Sequence, residues 1–340
     1  MTTILITGAS GFAGRHLAAC LTGDPARGSG GPPPQLIGLG QGPLAPDVAP
    51  AFSAYHDGDV TDFEFLRRVV ASTRPDRVYH LAAVTFGRPA GPTDERFLAV
   101  NVQGTRLLCE ALLAAGRAPR VHVAGSSAVY GAAACDPISE DTPLRPQTLY
   151  AASKAAQELM ALAYGRTAGI PIIVTRAFNH TGPGEHPHFA ASAFARQIAA
   201  AEAGLAPPVV RVGNLDAHRD FTDVRDIVRG YVAALEHGCP GECYNVCSGT
   251  ARRIGDLLDI LCGLARVPAS IEVDPERLAP ADVPYQRGSH AKLAAAAGWA
   301  PRIPLATTLA DLLDYWRERS TAAGRGSAPP KSIARSGGSA

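Results

Sequence analysis

The chain opens with TILITGASGFAG at residues 3–14, and this stretch decides the fold. Its first five residues are apolar or β-branched and predict a buried parallel strand. The glycine-rich segment follows at once, and residues 15–21 then have the composition of a helix. Strand, glycine turn and helix stand in the order that a pyrophosphate-binding site requires. The stretch therefore predicts a dinucleotide-binding turn at the start of the chain.

Each glycine of this turn has a predicted task. Gly8 and Gly11 permit the tight turn and a close approach of the backbone to phosphate, and Gly14 lets the helix pack against the strand. The spacing G-x-x-G-x-x-G also fits an ordinary tight turn, but the flanking strand and helix favour cofactor binding. We add Phe12 and Arg15, from the same turn and helix, to the predicted cofactor-binding residues.

Alternating strand-like and helical runs predict an α/β fold with a Rossmann-type doubly wound parallel sheet. Beyond residue 177 the elements are shorter and divided by Gly and Pro. We expect a dinucleotide-binding domain over residues 1–176 and a smaller mixed α/β substrate-binding domain over 177–319, interleaved with it. The second domain would cover the cofactor crevice at the carboxyl ends of the strands. Residues 320–340, rich in Ser, Gly, Pro and Ala, are predicted to be disordered.

The predicted elements of the first half have definite bounds. A segment rich in Gly and Pro at residues 23–34 predicts a surface insertion. After the first strand, we predict strands at 35–39, 51–56, 77–82, 120–124 and 170–176, and helices at 61–73, 93–115 and 149–168.

The composition excludes several classes of protein. Of the 340 residues, 46% are hydrophobic and 19% are charged, as is typical of a globular protein with a sizeable core. A formal net charge of +1 argues against a general nucleic-acid or anionic-membrane surface. The first strand begins too close to Met1 for a signal peptide, and we find no apolar run near the roughly 18–20 residues of a membrane span. We therefore expect a cytoplasmic protein.

Seven cysteines are scattered through the chain, so we do not expect a disulfide framework. Cys239, Cys243 and Cys247 recur every four residues, a spacing that leaves a metal site open. We favour the alternative that they are small apolar residues of a strand and the following turn. No metal is predicted.

A second informative pattern is LYAASK at residues 149–154, at the start of an Ala-rich helical run. On a helix, Tyr150 and Lys154 lie on one face and one turn apart. We predict that the ammonium lowers the pKa of the phenol from its usual value of about 10. Such a phenol exchanges a proton with a sugar or alcohol oxygen near neutral pH.

A further hydroxyl follows a buried strand in AGSSAVYG at residues 124–131. With the glycine turn and Tyr-x-x-x-Lys, this segment makes the chain resemble the extended short-chain dehydrogenases/reductases, in their nucleotide-sugar epimerase/dehydratase group. The resemblance runs from about Thr3 to Trp316. It also rests on three short segments, which are DV at 59–60, HLAA at 80–83 and NVQGT at 101–105.

Two later segments narrow the resemblance. RAFNHTGPG at 176–184 and GNLDAHRDFTDVRD at 213–226 are most similar to segments of GDP-4-keto-6-deoxymannose reductases and GDP-mannose 4,6-dehydratases. The motif DFTDVRD within the second segment favours the reductases.

The resemblance implies a catalytic set of Ser126, Tyr150 and Lys154. Tyr150 would protonate a carbonyl oxygen as hydride arrives, Lys154 would bind the nicotinamide ribose, and Ser126 would hydrogen-bond the same carbonyl oxygen. An ordinary Asx turn is the alternative for Asp59, which would otherwise contact the adenine. Besides the glycine turn and the Tyr-Lys pair, the implied cofactor-binding residues are Asp59, Val60, Leu81, Ala82, Ala83 and Asn101.

Substrate contacts are implied for Ser127, Asn179, Arg219 and Arg277. The guanidinium of Arg219 suits a diphosphate because its planar fork meets two phosphate oxygens at once. The alternative for Arg219 is an ion pair with a neighbouring aspartate. The alternative for Asn179, which precedes Gly and Pro, is the stabilisation of a turn.

Three positions depart from the family pattern. Ala128 stands where the 4,6-dehydratases have a glutamate, and alanine cannot transfer the proton that dehydration needs. The second strand ends at Gln41 without the carboxylate of most NAD sites, so we favour NADP(H) over NAD(H), with Arg15 beside the 2′-phosphate. Ala279 replaces a second arginine, which leaves open both the nucleotide base and whether the substrate is a nucleotide sugar.

These observations predict an NAD(P)H-dependent reductase of the 4-keto group of a nucleotide-activated 4-keto-6-deoxyhexose. Three alternatives remain, namely a nucleotide-sugar 4-epimerase with tightly bound NAD, a ketoreductase of a natural-product carbonyl, and a non-catalytic NADP sensor. We expect no nucleic-acid or membrane partner. A homodimer is predicted because the helical runs 93–115 and 149–168 have Ala and Leu on more than one face.

Overall fold

The computed structural model describes residues 2–23, 33–85, 95–278 and 283–326. Within these residues, seven parallel strands form one sheet in the order β3-β2-β1-β4-β5-β6-β10. The strands are β1 (Thr3–Thr7), β2 (Gln35–Gly40), β3 (Ala54–Asp57), β4 (Arg77–His80), β5 (Arg120–Ala124), β6 (Ile172–Ala177) and β10 (Cys243–Val246). The predicted α/β fold with a Rossmann-type sheet is confirmed.

Helices cover both faces of this sheet. Leu5 of β1 packs into the cluster formed with α2, α3 and α4, whereas Ile4 and Ile6 face the cluster formed with α1, α6 and α8. This burial on both sides explains why the first strand is a continuous apolar run. The helices are α1 (Phe12–Gly23), α2 (Phe63–Thr73), α3 (Thr105–Ala114), α4 (Leu149–Ala168), α5 (Ala190–Glu202), α6 (Val224–His237), α7 (Ile254–Leu264), α8 (Ala291–Ala297) and α9 (Leu305–Gly326).

The strand order reverses between β1 and β4, because β2 and β4 pair on opposite sides of β1. In such sheets a ligand binds beyond the carboxyl ends of the strands at this reversal. The glycine turn follows β1, and residues 81–83 follow β4. The fold therefore brings two predicted cofactor segments to the same crevice.

The smaller region has two short sheets. One has the order β11-β9-β7 and the other pairs β12 with β8, and helices α5, α7 and α9 share a separate apolar cluster with β8. The strands are β7 (Asn179–Thr181), β8 (Val209–Val212), β9 (His218–Asp223), β11 (Ala251–Arg253) and β12 (Ser270–Val273).

The two regions are not consecutive along the chain. Helix α6 packs on the large sheet, and β10 pairs with β6, so residues 224–246 return to that sheet after the first elements of the smaller region. Helix α9 continues to Gly326. Residues 320–326 are thus helical rather than disordered, because this helix is anchored by Leu309, Leu312 and Leu313 in the core. The rest of the predicted tail, most of the predicted 23–34 insertion and Ala279 lie outside the described residues.

One helical stretch of the described chain, Phe97–Ala114, is long and apolar enough to cross a membrane by length and composition alone, although it includes Asn101, Arg106 and Glu110. Its first part, Phe97–Gly104, is a π-helix that runs directly into α3. Buried residues make up 44% of the stretch, and α3 packs against α2 and α4 within the fold.

Candidate active site

The glycine turn after β1 is closely packed. Gly8 has φ of +72°, and a Cβ at this residue would lie 2.7 Å from the backbone nitrogen of Ala82. A Cβ on Gly14 would lie 2.4 Å from the carbonyl oxygen of Gly8, and one on Gly11 would lie 3.1 Å from the same oxygen. The glycine turn and the first turn of α1 therefore have no room for side chains, as is required where the backbone must approach a pyrophosphate.

Two side chains after this turn have protein partners. The ring of Phe12 stacks on that of His180, with centroids 5.9 Å apart. Arg15 forms a 2.5 Å ion pair with Asp47. The pair forms because the loop after β2 folds back over α1 and brings Asp47 to the guanidinium that is predicted to lie beside the 2′-phosphate. Both side chains are partly exposed, so this pair contributes little to stability.

The carboxyl end of β2 has no carboxylate, as predicted, and ends in Gly40 followed by Gln41. The Gln41 amide donates a 2.8 Å hydrogen bond to Asp59, whose other oxygen accepts from the backbone nitrogen of Thr61 at 2.8 Å. Asp59 thus forms the Asx turn that was its alternative interpretation. Val60 is buried beneath Gly104, where a Cβ would lie 2.8 Å from the valine side chain.

Tyr150 lies in the first turn of α4. Thr148 caps this helix, because its side chain accepts a hydrogen bond from the backbone nitrogen of Ala151. Its hydroxyl is hydrogen-bonded to Ser126. Ser126 follows β5 and accepts from the backbone nitrogen of Ala128 at 3.2 Å. The edge of the Phe97 ring packs against the phenol, with centroids 5.9 Å apart. The structure thus joins two of the three predicted catalytic groups.

Burial raises the pKa of the Tyr150 phenol, and the hydrogen bond from Ser126 only partly opposes this effect. The prediction that Lys154 lowers the pKa of this phenol is therefore wrong. The amine of Lys154 donates instead to the carbonyl oxygen of Ala124 and to Oε1 of Gln157. Desolvation also lowers the pKa of Lys154 to about 7, although the charge of Glu158 acts in the opposite direction. A buried amine of this kind is a weak source of positive charge at neutral pH.

Sequence reasoning missed a buried chain of hydrogen bonds behind Lys154. Gln157 donates to Thr105 at 2.8 Å, and Thr105 is bonded to one nitrogen of His80 at 2.8 Å. The other nitrogen of His80 is 2.7 Å from the hydroxyl of Thr7, next to the glycine turn. Burial lowers the pKa of His80 to about 3, so the ring is neutral. The available signal was the i,i+3 spacing of Lys154 and Gln157.

Asn101 lies in the π-helix, a form that is often found at functional sites. It is fully buried, and its amide oxygen accepts from the backbone nitrogen of Val84 at 2.8 Å. Its amide nitrogen donates to the hydroxyl of Ser153 at 3.0 Å and to the carbonyl oxygen of Val84 at 3.1 Å. Asn101 therefore ties the segment after Leu81, Ala82 and Ala83 to α4 beside Lys154.

The predicted substrate-binding residues are dispersed. Asn179 is exposed on β7, directly across from Phe221 of β9, and the half-buried Arg219 lies two residues earlier on β9. Arg277 is exposed after β12, in the other short sheet, and pairs with Asp274 at 3.0 Å. The structure thus brings Asn179 and Arg219 into one sheet and keeps Arg277 apart.

Ser127 is buried against the smaller region. Its hydroxyl donates to Oε1 of Gln286 at 3.3 Å, and the Gln286 amide donates to the Ser127 carbonyl oxygen at 3.2 Å. This pair links the segment after β5 to a residue far along the chain. Ser127 therefore serves the contact between the two regions in the structure, rather than presenting a free hydroxyl.

The three cysteines with regular spacing do not converge. Cys243 and Cys247 are buried, whereas Cys239 is exposed. Across residues 2–23, 33–85, 95–278 and 283–326, no three His, Cys, Asp or Glu side chains are grouped as a metal site would need. Ala128 lies in the short 3₁₀ helix after Ser126, so this position supplies no acid or base.

Comparison with known proteins agrees with this geometry. The profile of the GDP-mannose 4,6 dehydratase family matches residues 5–312. The GDP-6-deoxy-D-mannose reductase of Pseudomonas aeruginosa is 36% identical over 93% of this chain and 97% of its own length. A dTDP-glucose 4,6-dehydratase of Actinoplanes is 32% identical over 92% of this chain and 97% of its own length.

A solved structure gives the same result. The structure of RMD from Pseudomonas aeruginosa complexed with NADPH superposes with a TM-score of 0.82 and 35% identity, and the match covers 94% of this chain and 100% of that chain. The predicted resemblance to the extended short-chain dehydrogenases/reductases and the predicted oxidoreductase class are confirmed. The chain belongs to the GDP-mannose 4,6-dehydratase family of extended short-chain dehydrogenases/reductases.

Proposed function

We propose that the protein is an NADPH-dependent reductase of the 4-keto group of a nucleotide-activated 4-keto-6-deoxyhexose. The single observation behind this proposal is the hydrogen-bonded pair of Ser126 and Tyr150, beside Lys154, with Ala128 in place of a dehydratase glutamate. The set can protonate a carbonyl oxygen but lacks the extra group that removes water. The similarity to a GDP-6-deoxy-D-mannose reductase supports the same reaction.

The cofactor would lie across the crevice between β1 and β4. Bare backbone at Gly8 and Gly14 would hold its diphosphate at the start of α1. When bound, the reduced nicotinamide supplies the hydride. The absence of a carboxylate at Gln41, the nearby Arg15 and the NADPH in the related P. aeruginosa structure favour NADPH over NADH.

Tyr150 is the proposed acid. A phenol whose pKa is raised by burial stays protonated at neutral pH, which is the form that a reduction needs. As hydride adds to C4 of the sugar, the phenol gives its proton to the C4 oxygen, and the ketone becomes an alcohol. Ser126 would donate a hydrogen bond to the same oxygen and stabilise the charge that develops there.

Lys154 would hold the ribose of the cofactor. Its amine is fixed by Ala124 and Gln157, and the chain of buried hydrogen bonds through Thr105 and His80 links it to the glycine turn. A fixed donor loses little entropy on binding. We propose that this chain keeps the catalytic helix α4 in register with the cofactor turn.

The substrate would cover the small sheet of β7 and β9. Arg219 is proposed to bind the diphosphate, and Asn179 lies on the neighbouring strand. We propose GDP as the nucleotide because a relative named for a GDP-sugar shares 36% identity over 93% of the chain. Arg277, and Ser127 through its bond to Gln286, would act at the border of this site rather than at the reacting carbon.

We further propose that the enzyme is a homodimer in the cytoplasm. Leu98, Leu113 and Leu159 are 58%, 39% and 58% exposed on the π-helix, α3 and α4, and such leucines favour a helical interface between two copies. All seven cysteines are free, which suits a reducing compartment. A mass by light scattering twice that of the chain would support the dimer, and Leu159→Lys would be expected to give monomers.

The function is tested with purified protein and 4-keto-6-deoxyhexoses on GDP, dTDP and UDP. We expect NADPH consumption, followed by absorbance, to be fastest with the GDP sugar, and the product to be a 6-deoxyhexose with a C4 hydroxyl. Protein that holds stoichiometric NAD and converts a 4-hydroxy sugar without NADPH would contradict the proposal and favour an epimerase. Inactivity with all three nucleotide sugars, but reduction of a simple ketone, would contradict the substrate class alone.

A further inference from the structure

A cavity of about 250 Å³, apart from the cofactor crevice, lies at the edge of the small sheet where β11 pairs with β9. Its volume is below the roughly 300–1,000 Å³ typical of drug-sized ligands, so it suits a small molecule. None of the residues that line it belongs to the proposed catalytic set. The residues used below are Thr222, Ser248, Thr250, Arg252, Arg302 and Leu305.

The charge of this cavity is positive. Arg252 and Arg302 are exposed, and neither forms an ion pair with any residue that the structure describes. The acidic residue in the lining, Asp223, accepts from Thr308 and pairs with Arg225, which it shares with Asp311. Two uncompensated guanidinium groups therefore face one small volume, a combination that favours an anion.

Neutral donors complement these cations. Thr222 is 3% exposed, and its hydroxyl has no hydrogen-bond partner among the described residues. A buried hydroxyl without a partner is costly, and a ligand oxygen at the cavity would relieve that cost. Thr250 adds a hydroxyl group from the turn before β11, whereas the hydroxyl of Ser248 donates to Asp220 at 2.6 Å.

Helix α9 points its positive end at the same cavity. Leu305 is the first residue of this 22-residue helix and lines the cavity. The first backbone N–H groups of a helix have no partner within it, and the helix dipole adds positive potential there. The start of α9, the two arginines and the hydroxyl of Thr222 thus all favour an anion whose oxygens accept hydrogen bonds.

From these features we propose that the cavity binds a phosphate group, either as inorganic phosphate or as a small phosphate monoester. The guanidinium groups of Arg252 and Arg302 would pair with the phosphate oxygens, and the Thr222 hydroxyl would donate to one of them. The site is separate from the proposed catalytic groups and goes beyond the proposed function.

The test measures inorganic phosphate binding by calorimetry and by the rise in Tm over chloride at equal ionic strength. We expect wild-type protein and Arg68→Gln, an exposed arginine of α2, to bind phosphate equally. The double variant Arg252→Gln/Arg302→Gln should bind at least tenfold more weakly while it retains NADPH turnover. The same Tm rise in the double variant and in wild type would overturn the proposal.

Thr222→Val gives an independent readout. It removes the unpartnered hydroxyl without a change of shape, so Tm without phosphate should rise, while the increase on adding phosphate should shrink. A Tm increase on adding phosphate that equals that of wild type would contradict the role of this hydroxyl.

The register of the small sheet supplies a competing explanation, because Arg252 is directly opposite Arg219. If both arginines serve the diphosphate of the substrate, GDP will displace phosphate competitively, and that result would also overturn a separate site. Binding of phosphate that is unchanged by saturating GDP is the expected outcome. A comparison of inorganic phosphate with glycerol 3-phosphate then distinguishes the free ion from a phosphate monoester.

Discussion

The cofactor side and the substrate side of the site are built differently. On the cofactor side, His80, Asn101 and Lys154 are at most 3% exposed and are hydrogen-bonded to other groups of the chain. On the substrate side, Asn179 is exposed on β7, and Arg277 is exposed in a 3₁₀ turn after β12. Buried hydrogen bonds therefore hold the groups on the cofactor side in place before any ligand binds. The substrate side depends on exposed side chains, so substitutions there can change the substrate preference more easily.

The largest effect on activity is expected at Tyr150, the proposed acid on the cofactor side. Tyr150→Phe removes the proposed proton donor, and we expect kcat to fall by about 10²–10⁴-fold with NADPH still bound. Tyr164→Phe, on the same helix but hydrogen-bonded to Glu110, is the matched control and should leave kcat unchanged. Stopped-flow turnover and NADPH fluorescence titration measure the two quantities. Equal kcat for both variants would remove Tyr150 from the mechanism.

The next largest effect is expected at the glycine turn. Gly8→Ala should destabilise the fold and abolish cofactor binding, because a Cβ would meet backbone atoms 2.7 Å away at φ of +72°. Gly116→Ala shares a positive φ of +61° but meets no atom within 4 Å. In chemical denaturation, Gly8→Ala should lower the free energy of unfolding by about 1–3 kcal/mol more than Gly116→Ala does. Similar losses would show that close packing at Gly8 is unimportant.

On the substrate side, Arg219→Gln should raise KM and leave kcat largely intact. A charge-assisted hydrogen bond contributes roughly 1.5–3 kcal/mol, so we expect KM to rise about 10–100-fold. Arg211→Gln, an exposed arginine of β8 paired with Glu272, is the control. A fall in kcat without a change in KM would show that Arg219 acts in the chemical step rather than in substrate binding.

A buried carboxyl of the smaller region adds a pH dependence to the stability of the fold. Glu185 is 6% exposed and accepts from Thr181 at 2.7 Å, and burial raises its pKa to about 8. The folded state therefore binds a proton that the unfolded state releases above its ordinary pKa of about 4.3, so this contribution to stability is present at low pH and lost as pH rises through about 8.

Glu185→Gln keeps the shape of the protonated carboxyl. We expect its Tm to equal that of wild type near pH 5 and to exceed it by a few degrees above pH 8, at roughly 2–4 °C per kcal/mol. Glu202→Gln is the contrast, because the bond from Arg317 lowers the pKa of Glu202 and its stabilisation is lost as pH falls. Scanning calorimetry from pH 5 to 9 measures both. A Glu185→Gln curve parallel to wild type would contradict the raised pKa.

The smallest effect is expected at the ion pair of Arg15 and Asp47. Asp47→Asn frees the guanidinium and should raise the affinity for NADPH over NADH by a few fold, given that exposed pairs contribute about 0–1 kcal/mol. Arg15→Gln should shift the preference the other way. Titration of both variants with both cofactors measures the ratio. Identical ratios in the two variants would mean that Arg15 does not contact the 2′-phosphate.

Local patterns predicted the framework well. Three elements have the predicted bounds, namely the first strand, the strand at residues 120–124 and the helix at 149–168. Strands buried on both faces are apolar throughout, and a threonine caps the start of the helix, so both can be recognised in the sequence. Contacts between distant residues left no such marks. Asp47 reaches Arg15, and Gln286 reaches Ser127, only through the folded chain.

The error at Tyr150 has a single physical cause. The i,i+4 spacing put Tyr150 and Lys154 on one face of the helix but said nothing about solvent. Phe97 packs against the ring and desolvation dominates, while Ala124 and Gln157 hold the amine. The burial of a titratable group depends on elements that are remote in sequence, so its pKa cannot be read from spacing alone.

The late return of β10 has a consequence for biosynthesis. Strand β6 is complete at Ala177, yet its outer neighbour consists of residues 243–246. A nascent chain on the ribosome therefore holds an open strand edge while the first elements of the smaller region are still being made. Such an edge is a template for pairing with other chains, so we expect the nascent chain to be most prone to aggregation before Val246 has emerged.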